Sequence, residues 1–84
     1  MRRVFSEQTW EDYLHWQATD RRILQRINRL IAEITRSPHA GIGKPEPLRH
    51  ALAGYWSRRI DDEHRIVCKA TPDALLIAQL RYHY

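Results

Sequence analysis

The chain has 84 residues, room for one domain and too few for two. Its single cysteine, Cys68, excludes an intrachain disulfide, and its longest apolar run, Ala74-Leu75-Leu76-Ile77-Ala78, is far short of the roughly 20 residues that span a bilayer. Fourteen Lys and Arg against ten Asp and Glu leave a formal charge of +4 with histidine neutral, which points to an anionic partner, nucleic acid first, against the plainer reading of a soluble basic surface.

All of those cations except Lys44 and Lys69 are arginine, the residue suited to bidentate phosphate contact and to stacking on bases. No signal-peptide pattern occurs, and the expected compartment is the cytoplasm.

Arg3-Val4-Phe5 reads as a short first strand. Ser6 follows as a helix N-cap, with Glu7 in the first turn where the helix dipole favours a carboxylate. Trp10, Tyr13 and Leu14 fall at i, i+3 and i+4 and share a face. The polar Gln17-Ala18-Thr19-Asp20 segment breaks this helix and offers Thr19 or Asp20 as the next cap. Ile23, Ile27, Leu30, Ile31 and Ile34 then recur at helical spacing, with Arg21, Arg22, Arg26, Arg29 and Glu33 on other faces. This is an amphipathic helix of about 17 residues whose apolar stripe is core.

Ser37-Pro38 ends that helix, because the residue before a proline is pushed out of the helical region. Residues 37–47 hold three of the four prolines and two of the three glycines. Pro45-Glu46-Pro47 is the stiffest part, since each ring fixes its own φ and restricts its predecessor. Residues 55–60 alternate, with Trp56, Arg58 and Ile60 on one side and Tyr55, Ser57 and Arg59 on the other. Asp61-Asp62-Glu63-His64 is a polar turn, residues 65–70 the next strand, Thr71-Pro72-Asp73 a second turn, and residues 74–84 the last strand. Residues 48–52 offer one more short strand. Short loops between consecutive strands imply an antiparallel meander. The expected fold class is α+β: one small domain over residues 1–84, two N-terminal helices packed on one face of a twisted antiparallel sheet.

Alternation in the last strand puts Leu75, Ile77, Gln79, Arg81 and His83 on one face. A hairpin around residues 71–73 sets position 65 nearly opposite position 80, within two residues, so Arg65 falls near Arg81 or His83. One concave face then carries Arg65, Arg81, His83 and Arg59. That is more positive charge than a core tolerates, and a phosphate would relieve it. Metal-independent RNA cleavage needs a base for the ribose 2′-OH, an acid for the leaving 5′-oxygen and cations for the charge that grows on the phosphate. Glu46 on its stiff loop suits the base, Arg65 the cation, and His83 the acid, a histidine having an ordinary pKa of about 6.5. On residue type alone the same three also read as a solvated loop carboxylate, a surface arginine and a tail histidine.

No zinc spacing, P-loop, G-x-S-x-G or dinucleotide fingerprint occurs. His15, His39, His50 and His64 lie in unrelated segments, so neither a metal nor a cofactor is expected. Cys68 sits in an apolar run and reads as a core thiol.

Five segments carry a resemblance: Trp10-Glu11-Asp12-Tyr13-Leu14-His15-Trp16-Gln17, Gly43-Lys44-Pro45-Glu46-Pro47-Leu48, Gly54-Tyr55-Trp56-Ser57-Arg58-Arg59-Ile60, Glu63-His64-Arg65-Ile66-Val67 and Arg81-Tyr82-His83-Tyr84. In their order and spacing the chain resembles the YoeB toxins of the RelE/ParE superfamily, end to end and without evident insertion. The resemblance implies the RelE-like microbial ribonuclease fold. It implies the toxin of a type II toxin–antitoxin system, which enters the ribosomal A site, cuts the mRNA codon there and inhibits translation.

The implied partners are a cognate YefM-like antitoxin, the ribosome with its rRNA and A-site mRNA, operator DNA through the antitoxin complex alone, and a second copy of the chain, with the first helix as a candidate surface. No membrane and no cofactor are implied.

Carried over residue by residue, Glu46 matches the general base, His83 the general acid and Arg65 the stabiliser of the transition state. Tyr84 matches a terminal aromatic at the site, and Arg59 a cation near the scissile phosphate. Arg49 stands where the family leads one to expect lysine, so a fork replaces a point charge. Lys44 and Arg81 complete the expected phosphate-binding set. Trp10, Tyr13 and Trp16 read as core or dimer packing.

Two other readings stand beside this one. A gyrase-poisoning toxin resembling ParE would lack the base and the acid, so Glu46, Arg65 and His83 together argue against it. A non-catalytic RNA-binding domain is disfavoured by the intact Arg81-Tyr82-His83-Tyr84 end.

Overall fold

The structure, a computed structural model, describes residues 1–82. In chain order the elements are β1 (Arg2–Phe5), α1 (Glu7–Thr19), α2 (Arg21–Arg36), β2 (Glu46–Pro47), a single 3-10 turn (His50–Leu52), β3 (Trp56–Arg59), β4 (Arg65–Ala70) and β5 (Ala74–Gln79).

Local chemistry sets the helix ends. Ser6 Oγ accepts the Thr9 amide at 3.2 Å, capping α1 as expected. Asp20, rather than Thr19, caps α2, its carboxylate accepting the amides of Arg22 (3.0 Å) and Ile23 (3.2 Å). One extended residue, Asp20, therefore joins the helices, and α1 runs on to Thr19. The α2 stripe is core: Ile27, Leu30, Ile31 and Ile34 are buried against Ile60, Ile66, Cys68, Leu75, Ile77 and Leu80 of the sheet side, with Trp16 of α1. Each such side chain contributes roughly 1.5–3 kcal/mol by leaving water.

The sheet order is β1-β5-β4-β3-β2. Strands β2 to β5 form the expected antiparallel meander. The sheet as a whole is mixed, because β1 pairs parallel with β5, from Arg2 opposite Ala74 to Phe5 opposite Ile77. Loop lengths foretell the meander. They are silent on β1, whose partner lies at the other end of the chain and whose direction is set by where the helical hairpin returns.

Two strand boundaries also differ from expectation. Residues 48–52 form no strand; they bury Leu48 and close the 3-10 turn, and β2 is the two residues before them. The last strand ends at Gln79. Within it Val67 opposes Gln79 while Cys68 opposes Ile77, so Ala78 is the extra residue of a bulge.

Beyond Phe5 the chain turns into α1 and leaves the outer edge of β5 without a strand. Side chains of α1 take over there: Thr9 Oγ1 donates to the Ile77 carbonyl (3.1 Å) and Trp16 Nε1 to the Leu80 carbonyl (3.0 Å). Seven residues of helix and three of strand both advance about 10 Å, so the two bonds keep step. The face of α1 turned inward is therefore Thr9, Asp12 and Trp16, whereas Trp10 and Leu14 are exposed. Trp10 stacks on Tyr13 at 5.6 Å, and both rings meet Phe5 edge-on.

Cys68 is buried, and burial pushes its thiol up to about 11 against the opposing charge of Arg58. It is an inert core thiol.

Candidate active site on the open face of the sheet

The register decides which side chains meet. Directly opposed residues of an antiparallel pair project to the same face. Glu46 opposes Ser57, Ser57 opposes Val67, and Val67 opposes Gln79. These four cross the sheet in one row, on the face turned away from Ile66, Cys68 and Ile77. Arg59 opposes Arg65 in the next row of the same face. The Arg65 guanidinium leans back across the gap, its Nη1 donating to Ser57 Oγ at 3.1 Å. Ser57 is fully buried and Arg65 half-buried, while Glu46 and Arg59 are exposed. A carboxylate and an arginine far apart in the chain thus flank one serine.

Glu46 is held by its neighbours. It lies on the edge strand between two prolines, where the missing N–H of Pro47 costs no ladder bond. The Leu48 amide donates to the Tyr55 carbonyl at 2.9 Å and ties the strand's end down. Before it, the Arg59 amide donates to the Gly43 carbonyl at 2.8 Å. Gly43 has φ +84, and a Cβ there would stand 3.0 Å from Leu30 Cδ2 and 3.1 Å from Arg58 Cβ, so only glycine fits.

The loop ahead of Gly43 hangs on Arg58, which is 1% exposed on the helical side of β3. Its guanidinium donates to the carbonyls of Ser37 (2.7 Å), Ala40 (2.7 Å) and Ile42 (2.9 Å). Burial pulls Arg58 below its ordinary pKa, with the charges of Cys68 and Glu33 acting the other way.

Next to Glu46 is a hollow of about 340 Å³ lined by Glu46, Pro47, Leu48, Arg49, His50 and Leu52. Lys44 and Arg49 are exposed on either side of the Pro45-Glu46-Pro47 segment. The loop thus contributes Lys44 and Arg49, and the two neighbouring strands Arg59 and Arg65, to the same region of the chain as this carboxylate.

Arg81 is placed differently from the sequence expectation. The Ala78 bulge and the bend after Gln79 break the alternation, so Leu80 joins the core with Leu75 and Ile77. The Arg81 guanidinium lies 5.7 Å from the Trp16 ring of α1 and 4.8 Å from the Tyr82 ring. His83 and Tyr84 lie outside the described residues.

Tyr82, just before them, is pinned by its backbone. Its amide donates to His64 Nδ1 (2.8 Å), and its carbonyl accepts from the Arg65 amide (3.1 Å) and Gln79 Nε2 (2.9 Å). Sequence reasoning passed over Ser57, Gln79 and His64 because each looks like a filler between charged or apolar neighbours. The available signal was the alternation that sets Ser57 beside Arg59. Among the described residues no group of three His, Cys, Asp or Glu is arranged to hold a metal ion.

Residues 5–84 match the family model described as YoeB-like toxin of bacterial type II toxin-antitoxin system. Toxin YoeB of Streptomyces coelicolor is 61% identical over 84 residues, the whole of both chains. Among solved structures, the YoeB/ParE toxin from Agrobacterium tumefaciens superposes with a TM-score of 0.95 at 46% identity, covering 100% of both chains. A chain of the YoeB-YefM complex from Staphylococcus aureus gives a TM-score of 0.92 at 41% identity, covering 100% of this chain and 98% of that one. The YoeB dimer from the same organism gives 0.94 at 42% with the same coverage.

Proposed function

The chain belongs to the YoeB-like toxins of bacterial type II toxin–antitoxin systems, and from that premise we propose that it is an endoribonuclease that cuts mRNA in the ribosomal A site and so stops translation. The observation that carries this reading is the row Glu46–Ser57 with Arg65 bound to the same serine at 3.1 Å. It sets a proton acceptor beside a fixed cation on an open, basic face.

In the proposed reaction the Glu46 carboxylate takes the proton of the ribose 2′-OH. That oxygen attacks the adjacent phosphorus in line and forms a 2′,3′-cyclic phosphate. The P–O5′ bond breaks, and His83 gives its proton to the leaving 5′-oxygen, so one proton enters the enzyme and one leaves. Arg65 meets the charge that grows on the non-bridging oxygens, where a pre-positioned donor is worth most. Arg59, Arg49 and Lys44 hold flanking phosphates, with Arg49 offering a fork in place of a point charge. Arg81 stiffens the base of the C-terminal segment through Trp16 and still contributes positive charge to bound RNA. Tyr84 supplies an aromatic face to the cut nucleotide. No metal or cofactor takes part in this scheme.

The partner is a YefM-like antitoxin, which the YoeB-YefM complex of S. aureus supports; in this reading it covers the same basic face and carries the toxin to operator DNA. The chain pairs with a second copy, as the S. aureus dimer does. Its place of action is the cytoplasm, where ribosomes are.

The test uses purified ribosomes carrying a defined mRNA and initiator tRNA, with 3′ ends mapped. Wild type should cut inside the A-site codon. Glu46→Gln and His83→Gln should each lower the single-turnover rate by about 10²–10⁴-fold. No cut by wild type would refute the reading, and inhibition of gyrase supercoiling instead would assign the ParE-like activity.

A further inference from the structure

His64 is buried, at 6% exposed, in a turn next to the site, and the proposed chemistry does not use it. The turn itself builds the ring's position. Asp61 Oδ1 accepts the His64 amide, and the His64 carbonyl accepts the Ile60 amide at 2.9 Å. The ring packs edge-on against Trp16, with centroids 4.7 Å apart, and Trp16 is fixed through its bond to the Leu80 carbonyl.

Nδ1 of this ring accepts the Tyr82 amide at 2.8 Å. It must therefore carry a lone pair, which puts the ring proton on Nε2, facing Glu63 Oε2 at 3.6 Å. Tyr82 has φ +65, a conformation that side-chain-bearing residues rarely adopt. The residue is 54% exposed, and its ring meets the His64 ring at 5.7 Å and the Arg81 guanidinium at 4.8 Å, so side-chain packing alone does not hold it there. Three hydrogen bonds to the backbone do: His64 on the amide, Arg65 and Gln79 on the carbonyl.

We propose that His64 is a positioning residue for the C-terminal acid: by accepting the Tyr82 amide it locks the left-handed turn from which the chain continues to His83. The inference rests on the nuclease reading above and deepens it. The adjacent residue, Arg65, serves two ends of the reaction through one strand. Its side chain binds Ser57 beside Glu46, and its amide holds Tyr82. His64 completes that arrangement and keeps the acid's starting point in register with the base.

The experiment is a kinetic comparison in the A-site cleavage assay of wild type, His64→Leu, His64→Asn, His83→Gln and the double variant His64→Leu/His83→Gln. Each protein's fold is checked by its amide NMR spectrum. A misplacement of about 1 Å costs roughly 100-fold in such reactions, so His64→Leu should lose roughly 10- to 100-fold in kcat with KM little changed. His64→Asn, whose amide oxygen replaces Nδ1 as acceptor, should recover most of the loss. The double variant should be no slower than His83→Gln alone, because His64 acts through His83.

Folded His64→Leu with wild-type kcat would overturn the inference and leave the nuclease reading intact. So would no rescue by asparagine, or a full additional loss in the double variant. Absence of cleavage by wild type would remove both. If His64→Leu does not fold, ¹⁵N NMR of the wild type decides. A bare Nδ1 coupled to the Tyr82 amide supports the inference, and a protonated Nδ1 refutes it.

Discussion

Arg58 and Arg65 are neighbours on adjacent strands with opposite tasks. Arg65 projects to the open face and half meets solvent; Arg58 projects to the helical side and is spent on three loop carbonyls. Truncation takes a donor from each of them; the Ser37 carbonyl keeps the Ala40 amide at 3.4 Å, and the Ala40 and Ile42 carbonyls lose the guanidinium. An unsatisfied buried acceptor costs about 1–3 kcal/mol. Arg58→Met should therefore lower the urea midpoint by an amount equivalent to about 2–4 kcal/mol, with m unchanged. Arg58→Lys, which brings one ammonium where a fork stood, should recover only part. The same substitution should slow RNA cleavage even at temperatures where the protein stays folded, because the loop carries Glu46. Equal stability of Arg58→Met and wild type would show that the three bonds are replaced by water.

At the scale of elements, the outer edge of β5 is closed in two ways. Residues 2–5 close its first half as a parallel strand, and α1 closes the rest with two side chains. Trp16→Phe keeps an aromatic ring in the core and removes one donor. It should destabilise by about 1–2 kcal/mol through the unsatisfied Leu80 carbonyl. Thr9→Val should do the same at the Ile77 carbonyl. The two sites lie about two helical turns apart, so the double variant should be additive within about 0.5 kcal/mol in urea unfolding. Strong coupling would mean that α1 docks as one rigid unit whose loss at one end frees the other. The Trp16 loss should also reach function, because this ring backs His64 at 4.7 Å and Arg81 at 5.7 Å.

For the molecule as a whole, charge is the long-range property. The formal charge is +4, and two groups of exposed cations stand out beside Arg2 and Arg3 of β1. One is the outer side of α2, with exposed Arg21, Arg22 and Arg29; the other is the open face of the sheet, with Arg59, Arg49 and Lys44 around Glu46. Only the second surrounds the candidate site. Binding to ribosomes should weaken steeply between about 50 and 200 mM salt through counterion release. Arg59→Gln and Arg49→Gln should each reduce the slope of log K against log salt by about 1, and Arg22→Gln should change it less. A salt slope altered equally by all three would place the RNA contact over α2 as well.

Local readings of the chain reached far. The caps at Ser6 and Asp20, the α2 stripe, the stiff Pro45-Glu46-Pro47 segment and the β3–β4–β5 meander are written in residues close together. Propensity, helical period and turn chemistry act over a few positions. Resemblance in five short segments named the family from the same linear text. What tertiary structure alone decided depends on contacts between distant segments. The parallel pairing of β1 with β5 spans nearly the whole chain and follows from no loop length. The Ala78 bulge shifts the parity of the last strand, because one extra residue moves every following side chain to the other face. That single residue sends Leu80 into the core, and the bend that follows Gln79 then sets Arg81 against Trp16 and Tyr82. The meeting of Glu46, Ser57 and Arg65, and the hold of His64 on Tyr82, arise from strand register, which becomes definite only when one face of the sheet is buried under the helices.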